Sequence, residues 1–274
     1  MLFAHHLVVI RGGGDLATGV AYRLHQAGFP LIVLELARPF VVRRRVAVAT
    51  AVLQNNITIE TLHAQLAPTP AQALHMAQTT STIPVLIAPH LSPLTPPLSP
   101  TILIDARMAK RNIDTTLTQA PLVIALGPGF TAGEDCHAVI ETMRGHTLGR
   151  VIWQGTAVAN TGTPGIVAGK GAERVLRAPV AGVVNWRLEI GDFVETGQII
   201  GDVAGEVVTA PFAGVLRGLI APGTAVPAGL KIGDLDARAD VHACFTISDK
   251  ALAIGGGVLE AILTHLNRQL TSDD

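Results

Sequence analysis

The sequence predicts an α/β chain: a mostly parallel, doubly wound sheet, then a smaller all-β segment, then a C-terminal helix. Three observations carry this. From residue 7 to about residue 161, short apolar runs alternate with amphipathic stretches. After residue 177, glycine punctuation and period-2 alternation take over, and the segment repeats itself at an offset of 32 residues. A helix-like apolar stretch opened by Ser248 follows.

Composition permits such a fold and narrows what the chain does. With 274 residues, 49% hydrophobic and 15% charged, it can bury a large core and is not intrinsically disordered. Twenty Lys plus Arg against 21 Asp plus Glu leave a net charge of −1, without the basic field a nucleic-acid binder relies on. Two distant cysteines, Cys136 and Cys244, make no disulfide framework and suit a reducing compartment. Residues 79–104 carry no Asp, Glu, Lys or Arg, but Pro84, Pro89, Pro93, Pro96, Pro97 and Pro100 argue against a spanning helix. The first residues lack a basic start and a cleavage site, so a cytoplasmic protein without membrane association is expected.

The expected strands are the runs at 7–10, 31–36, 84–88, 101–105, 121–126 and 150–153, each continuous as in a sheet covered on both faces. Between the first two, residues 15–27 set Leu16, Val20, Ala21 and Leu24 on one helical stripe, and Gly28 supplies the stop. In the repeat, Ala178-Pro179 matches Ala210-Pro211, and Ala181-Gly182-Val183 matches Ala213-Gly214-Val215. Gly191, Val194, Gly197 and Ile200-Gly201-Asp202 likewise match Gly223, Val226, Gly229 and Ile232-Gly233-Asp234. Two such copies can face each other and bury their alternating apolar positions. The pattern, with Gly191-Asp192-Phe193-Val194-Glu195-Thr196-Gly197-Gln198, resembles the biotinyl/lipoyl barrel-sandwich hybrid domain. That family attaches its cofactor to a lysine on the hairpin between the halves, and residues 203–209 here contain none. No covalent biotin or lipoate is therefore expected, and the segment is read as a docking module. The expected domains are 1–170, Rossmann-like; 171–240, the barrel; and 241–274, a strand and a helix.

The strongest local signal lies between the first strand and its helix: Gly12, Gly13, Gly14 and Asp15, preceded by Arg11. Glycines there let a phosphate approach backbone amides at the positive end of a helix. The match to G-x-G-x-x-G is loose, since Ala17 stands where the last glycine belongs, and no Walker lysine follows. Glu35 ends the second strand, where an acid accepts hydrogen bonds from a ribose. Two further loops follow strands at the same edge. One contains Asp105, Arg107, Lys110 and Arg111; the other contains Gly127 and Gly129. With Arg43, Arg44 and Arg45 after the second strand, the edge is expected to gather positive charge for an anionic, phosphate-bearing ligand. His137 beside Cys136 is a thiolate-activating arrangement in principle, but a buried, inert thiol is the preferred reading for both cysteines. No His/Cys/Asp spacing matches a structural zinc site, and no metal is expected.

Taken together, the chain resembles the YqeB-type accessory proteins of selenium-dependent molybdenum hydroxylase systems. The likeness rests on RGGGDLATGVA (11–21), DARMAKRN (105–112), IALGPGFTAG (124–133), VIETMRGHTLGRVI (139–152) and NTGTPG (160–165). It continues through GLKIGDLD (229–236) and SDKALAIGGGVLEAIL (248–263). The resemblance implies maturation of a molybdenum hydroxylase, with a molybdopterin-type cofactor or its dinucleotide as ligand and a hydroxylase subunit as partner. Oligomeric state stays open. Two other readings compete. An NAD(P)-dependent oxidoreductase would use the same glycine loop, but there is no Tyr-x-x-x-Lys and Tyr22 is the only tyrosine. A pure interaction scaffold would make the glycines structural and the barrel the working part.

Overall fold

The computed structural model describes residues 1–88, 98–162, 165 and 168–272. Pro89, Pro93, Pro96 and Pro97, with part of the 160–165 motif, lie outside the described residues. The chain divides into two compact units: residues 1–39, 48–160 and 247–274 form the first, and residues 40–47 and 161–246 the second. The expected boundaries at 170 and 240 do not coincide with these units. The terminal helix packs within the first unit, and the strand expected before it is a short 3-10 turn at His242–Cys244.

In the first unit, β1 (Val8–Arg11) is buried on both faces, as its unbroken apolar sequence requires. Gly14 caps α1 (Asp15–Gln26), and the acidic Asp15 in its first turn complements the helix dipole. Gly28, at φ +88°, ends it in the left-handed conformation an L side chain disfavours. β2 (Leu31–Glu35) follows. The next elements were not read from the sequence: α2 (Ala51–Gln54), β3 (Asn56–Ile59), β4 (Leu62–Ala67) and α3 (Pro70–Thr79). β3 and β4 carry polar residues on an exposed face, so they lack the continuous apolar run that marks the other strands. Thr69 caps α3, its hydroxyl accepting from the Gln72 amide at 3.2 Å, with Pro70 at the first helical position.

β5 (Thr82–Ile87), β6 (Ile102–Asp105) and β7 (Leu122–Leu126) match the expected runs. Short strands follow: β8 (Thr131–Ala132), β9 (Ala138–Ile140), β10 (Val151–Ile152) and β11 (Gly155–Thr156). The main sheet runs β10-β9-β7-β6-β1-β2-β5-β4-β3, with β8 and β11 paired apart. All neighbours from β9 to β4 are parallel, and only the two outermost pairs are antiparallel. Strand order reverses at β1, with β2 on one side and β6 on the other. Ligands of open α/β sheets enter at such a reversal, outside the carboxyl ends of the strands.

α4 (Asp249–Ser272) begins as expected: the Ser248 hydroxyl accepts from the Ala251 amide at 3.2 Å. Of its three glycines, weak in helix propensity, Gly255 and Gly257 are explained by packing. A Cβ on Gly255 would strike the Gly19 carbonyl of α1, and one on Gly257 would strike the Gly149 carbonyl. α1 and α4 thus meet backbone to backbone, which only glycine allows.

The second unit is antiparallel. Its strands are β12 (Val175–Arg177), β13 (Gly182–Trp186), β14 (Phe193–Val194) and β15 (Ile199–Val203), then β16 (Glu206–Thr209), β17 (Gly214–Leu219), β18 (Ala225–Val226) and β19 (Lys231–Asp236). They form two four-stranded sheets, β12-β19-β17-β14 and β16-β15-β13-β18, that share one core including Val184, Ile200, Leu216 and Ile232. The repeat is visible in the register. Gly182 pairs with Val226 and Val194 with Gly214; a shift of 32 positions turns each pairing into the other. Each sheet therefore draws strands from both copies, so neither copy can bury its apolar face without the other. Ala204 and Gly205, both at positive φ, turn the chain between β15 and β16.

Candidate functional site

The carboxyl ends of β1, β2, β6 and β7 lie on one edge of the parallel sheet and bring the predicted residues near one another. Gly12 sits at φ +89°, and a Cβ there would lie about 3.1 Å from the Arg107 Cα, so its glycine lets the β6 loop approach the turn. Gly13 has an ordinary φ but no room. A Cβ would lie 2.9 Å from the Ala49 nitrogen, and the Gly13 carbonyl accepts from that amide at 2.9 Å. Buried residues 48–50 thus cover the side of the turn expected to admit a phosphate. Gly14, half-buried at φ −65°, and Asp15 open the helix beside it. On the Gly14 side the N-terminus of α1 presents the positive end of the helix dipole.

Glu35 is already committed. Its carboxylate accepts from the Gly13 amide and from the Leu36 amide, both at 2.7 Å. The expected ribose acceptor therefore holds the glycine turn to the end of β2.

The β6 loop is built around a buried ion-pair network. Asp105, 1% exposed, accepts from Arg107 Nη2 at 2.5 Å and from the Thr115 hydroxyl at 2.6 Å. Arg11, buried at the end of β1, donates to Thr115 Oγ1 at 3.0 Å and to Asp114 Oδ1 at 2.5 Å. Arg107 Nη2 reaches the same Asp114 oxygen at 2.8 Å. Burial lowers the Arg11 pKa, and the Arg107 charge lowers it further against the opposing pull of the acids. For Arg107 burial acts in the same sense, but hydrogen bonds and charge from Asp105 outweigh it and raise the pKa. Arg107 is thus bound within the protein rather than presented to solvent. Lys110 and Arg111 are exposed. Gly127 and Gly129, at φ +74° and +104°, press the β7 loop against its neighbours: a Cβ on Gly127 would strike the Thr142 hydroxyl, and one on Gly129 the Arg111 backbone.

Other expectations resolve differently. Arg43, Arg44 and Arg45 belong to the second unit, where Arg44 donates to Glu189 at 2.7 Å and to the Leu219 carbonyl at 3.0 Å. Arg43 donates to the Ala243 carbonyl at 2.9 Å, and Arg45 lies 3.9 Å from Glu189, so the contacts described for these arginines join them to their own unit. Cys136 is fully buried, and burial, with the Asp135 charge, pushes its thiol up to about 12. His137 offers it no activation, because His137 Nδ1 accepts from the Val123 amide at 3.0 Å and burial lowers its pKa.

Sequence reasoning missed Asp114 and Thr115, and it named Arg11 without a role. The density of charge in RMAKRNID (107–114) was the available signal, but which acid meets which base is a tertiary fact. Also missed was Glu141. Glu141, 2% exposed, accepts from the Met143 and Val158 amides at 2.6 and 2.8 Å. Lys250 is half-buried, and burial lowers its pKa against the attraction of Asp15.

The chain is 49% identical over 264 residues to a protein of Escherichia coli K12 named "Uncharacterized protein YqeB". This likeness supports the YqeB-type family. The match takes in 96% of the chain and 48% of YqeB, so the chain spans about half the length of the curated relative it matches. At 96% of the chain, the YqeB likeness extends over both units. No family model matches. Two solved structures are distantly similar. One is an aspartoacylase family protein from Mesorhizobium loti, at 11% identity and a TM-score of 0.28. The other is a succinylglutamate desuccinylase/aspartoacylase from Rhodobacter sphaeroides, at 16% identity and a TM-score of 0.26. Each comparison covers 84% of both chains, and scores this low carry no argument about activity. Among the described residues, no helix is long and apolar enough to cross a membrane.

Proposed function

We propose that the chain is a cytoplasmic accessory protein for maturation of a selenium-dependent molybdenum hydroxylase, holding a phosphate-bearing molybdopterin-type cofactor at the Rossmann-like edge of its first unit. The observation that carries the reading is the Gly12–Gly14 turn into α1, set where the strand order reverses and beside the Arg107–Arg111 loop. A helix N-terminus favours a phosphate, and the exposed Lys110 and Arg111 add cationic side chains that can close over it. On this reading the second unit is a barrel-sandwich hybrid of the biotinyl/lipoyl type without a carrier lysine, and it docks a hydroxylase subunit. The resemblance set out above supplies the hydroxylase and the selenium; the geometry supports an anionic ligand.

Binding measurements with molybdopterin species, NAD(H) and NADP(H) test this. Molybdopterin should bind, more weakly as salt is raised, and Lys110→Ala and Arg111→Ala should each weaken it, because exposed charges are screened over about 8 Å at physiological ionic strength. Both side chains are exposed, so neither change should disturb folding. Nicotinamide binding at micromolar or tighter affinity without molybdopterin binding would favour an oxidoreductase. Binding neither, while capturing a hydroxylase subunit through residues 178–235, would favour a scaffold.

A further inference from the structure

Two arginines from different strand ends converge on one oxygen. Arg11 leaves β1 and Arg107 follows β6, yet the Nη2 atoms of both point to Asp114 Oδ1, at 2.5 and 2.8 Å. The acids they meet differ. Asp105 is 1% exposed and is bound on both oxygens by Arg107, with Thr115 as a further donor. Asp114 stands on the loop with 46% of its side chain exposed. Among the described residues the buried Nε of Arg11 has no hydrogen-bond partner, so this guanidinium retains donor capacity. The network is neutral with Asp114 in place: two guanidiniums, two carboxylates. Withdrawing Asp114 leaves one surplus positive charge at the reversal point of the sheet, where ligands of such sheets enter.

We propose that Arg11 and Arg107 form a phosphate-accepting pair that Asp114 latches shut, and that a phosphate monoester or pyrophosphate opens it by taking the place of the carboxylate. Guanidinium forks bind phosphate in bidentate fashion as they bind carboxylate. A phosphate monoester carries about −1.5 to −2 charges and three acceptor oxygens, against one charge and two oxygens for Asp114, so it meets the pair better. Asp105 stays in place and holds Arg107 oriented, while the missing Cβ at Gly12 keeps the Arg107 backbone close. Exchange requires the Asp114 segment to swing toward solvent, which its half-exposed side chain permits. The latch deepens the cofactor reading by naming the residues that take the phosphate, and it rests on that reading only for the identity of the natural ligand.

The probe is inorganic pyrophosphate, titrated calorimetrically into the whole chain. Asp114→Asn keeps the shape and removes the charge, and it should tighten pyrophosphate binding by about tenfold or more. Arg107→Ala in the Asp114→Asn background should abolish the gain. A folded Asp114→Asn protein that binds pyrophosphate no tighter than the unsubstituted chain overturns the latch. The unsubstituted protein gives a second readout: pyrophosphate should protect Arg107 from phenylglyoxal, scored by peptide mass, where chloride at equal ionic strength should not. Equal modification in both salts also overturns it. Failure of these tests with molybdopterin still bound would sink the latch alone. A gain in pyrophosphate binding without molybdopterin binding would sink the cofactor reading alone.

Discussion

The Gly13 amide donates to Glu35 Oε2 at 2.7 Å, and the other oxygen of the same carboxylate accepts from the Leu36 amide. One acid thus joins the glycine turn after β1 to the end of β2. Replacing Glu35 with alanine strands two backbone donors, one of them on a buried glycine, so Glu35→Ala should cost about 1–3 kcal/mol in urea denaturation. Glu35→Gln keeps an acceptor and should cost less. Unchanged stability with lost ligand binding would return Glu35 to the role of ribose acceptor.

The α1–α4 contact predicts opposite effects at adjacent glycines. A Cβ on Gly255 meets the Gly19 carbonyl, whereas one on Gly256 meets nothing within 4 Å among the described residues. Gly255→Ala should destabilise by about 1–3 kcal/mol through overpacking. Gly256→Ala should stabilise by about 0.5–1 kcal/mol by restoring helix propensity. Thermal denaturation of both variants checks this, and equal effects would refute the close contact.

Cys136 should be chemically silent. With its thiol pushed up to about 12 and its side chain buried, almost no thiolate exists at neutral pH. Iodoacetamide should leave Cys136 unmodified in the native chain and alkylate it in guanidinium, as read by peptide mass. Rapid native alkylation would revive a catalytic role for the Cys136-His137 pair.

Acid should loosen the network around Asp114. Burial opposes its ionisation, but hydrogen bonds from Arg107 and Arg11 and their charges prevail and hold its carboxyl below the ordinary aspartate range. A folded-state pKa below the unfolded value contributes stability that is present above the unfolded value, near 3.9, and is lost as pH falls through the lower folded value. Unfolding of the unsubstituted chain should therefore steepen below about pH 4, and Asp114→Asn should flatten that dependence. An identical acid profile for the two proteins would show that Asp114 makes no such contribution.

The hairpin between the repeat halves should carry no cofactor. Ala204 and Gly205 form its turn, and residues 203–209 offer no lysine amine to a modifying enzyme. The intact mass of the chain co-expressed with biotin and lipoate ligases should equal that of the bare polypeptide.

Much of the fold was legible because its causes are local. Six apolar runs became strands within a few residues of the expected ends; for β1, β6 and β7 the cause is plain, since an unbroken run buried on both faces looks the same in sequence and in structure. The 32-residue repeat reappeared in the strand register because each copy completes the other's sheets. The amphipathic pair β3 and β4 escaped notice, as an edge hairpin with a solvated face carries a weaker signal.

The sequence by itself determined the parallel core, the glycine turn, the repeated β segment and the start of the last helix, each written in the periodicity or punctuation of neighbouring residues. Only the tertiary structure decided what the glycines and charges do. Gly13 accommodates Ala49, Gly255 accommodates Gly19, Glu35 binds a backbone amide, and Arg107 is held by Asp105 and Asp114. Arg43, Arg44 and Arg45 belong to the second unit although they follow a strand of the first. The physical reason is common to all of these: a missing Cβ or a charged group is completed by whatever the fold brings within about 3 Å, and such partners lie up to hundreds of residues away along the chain.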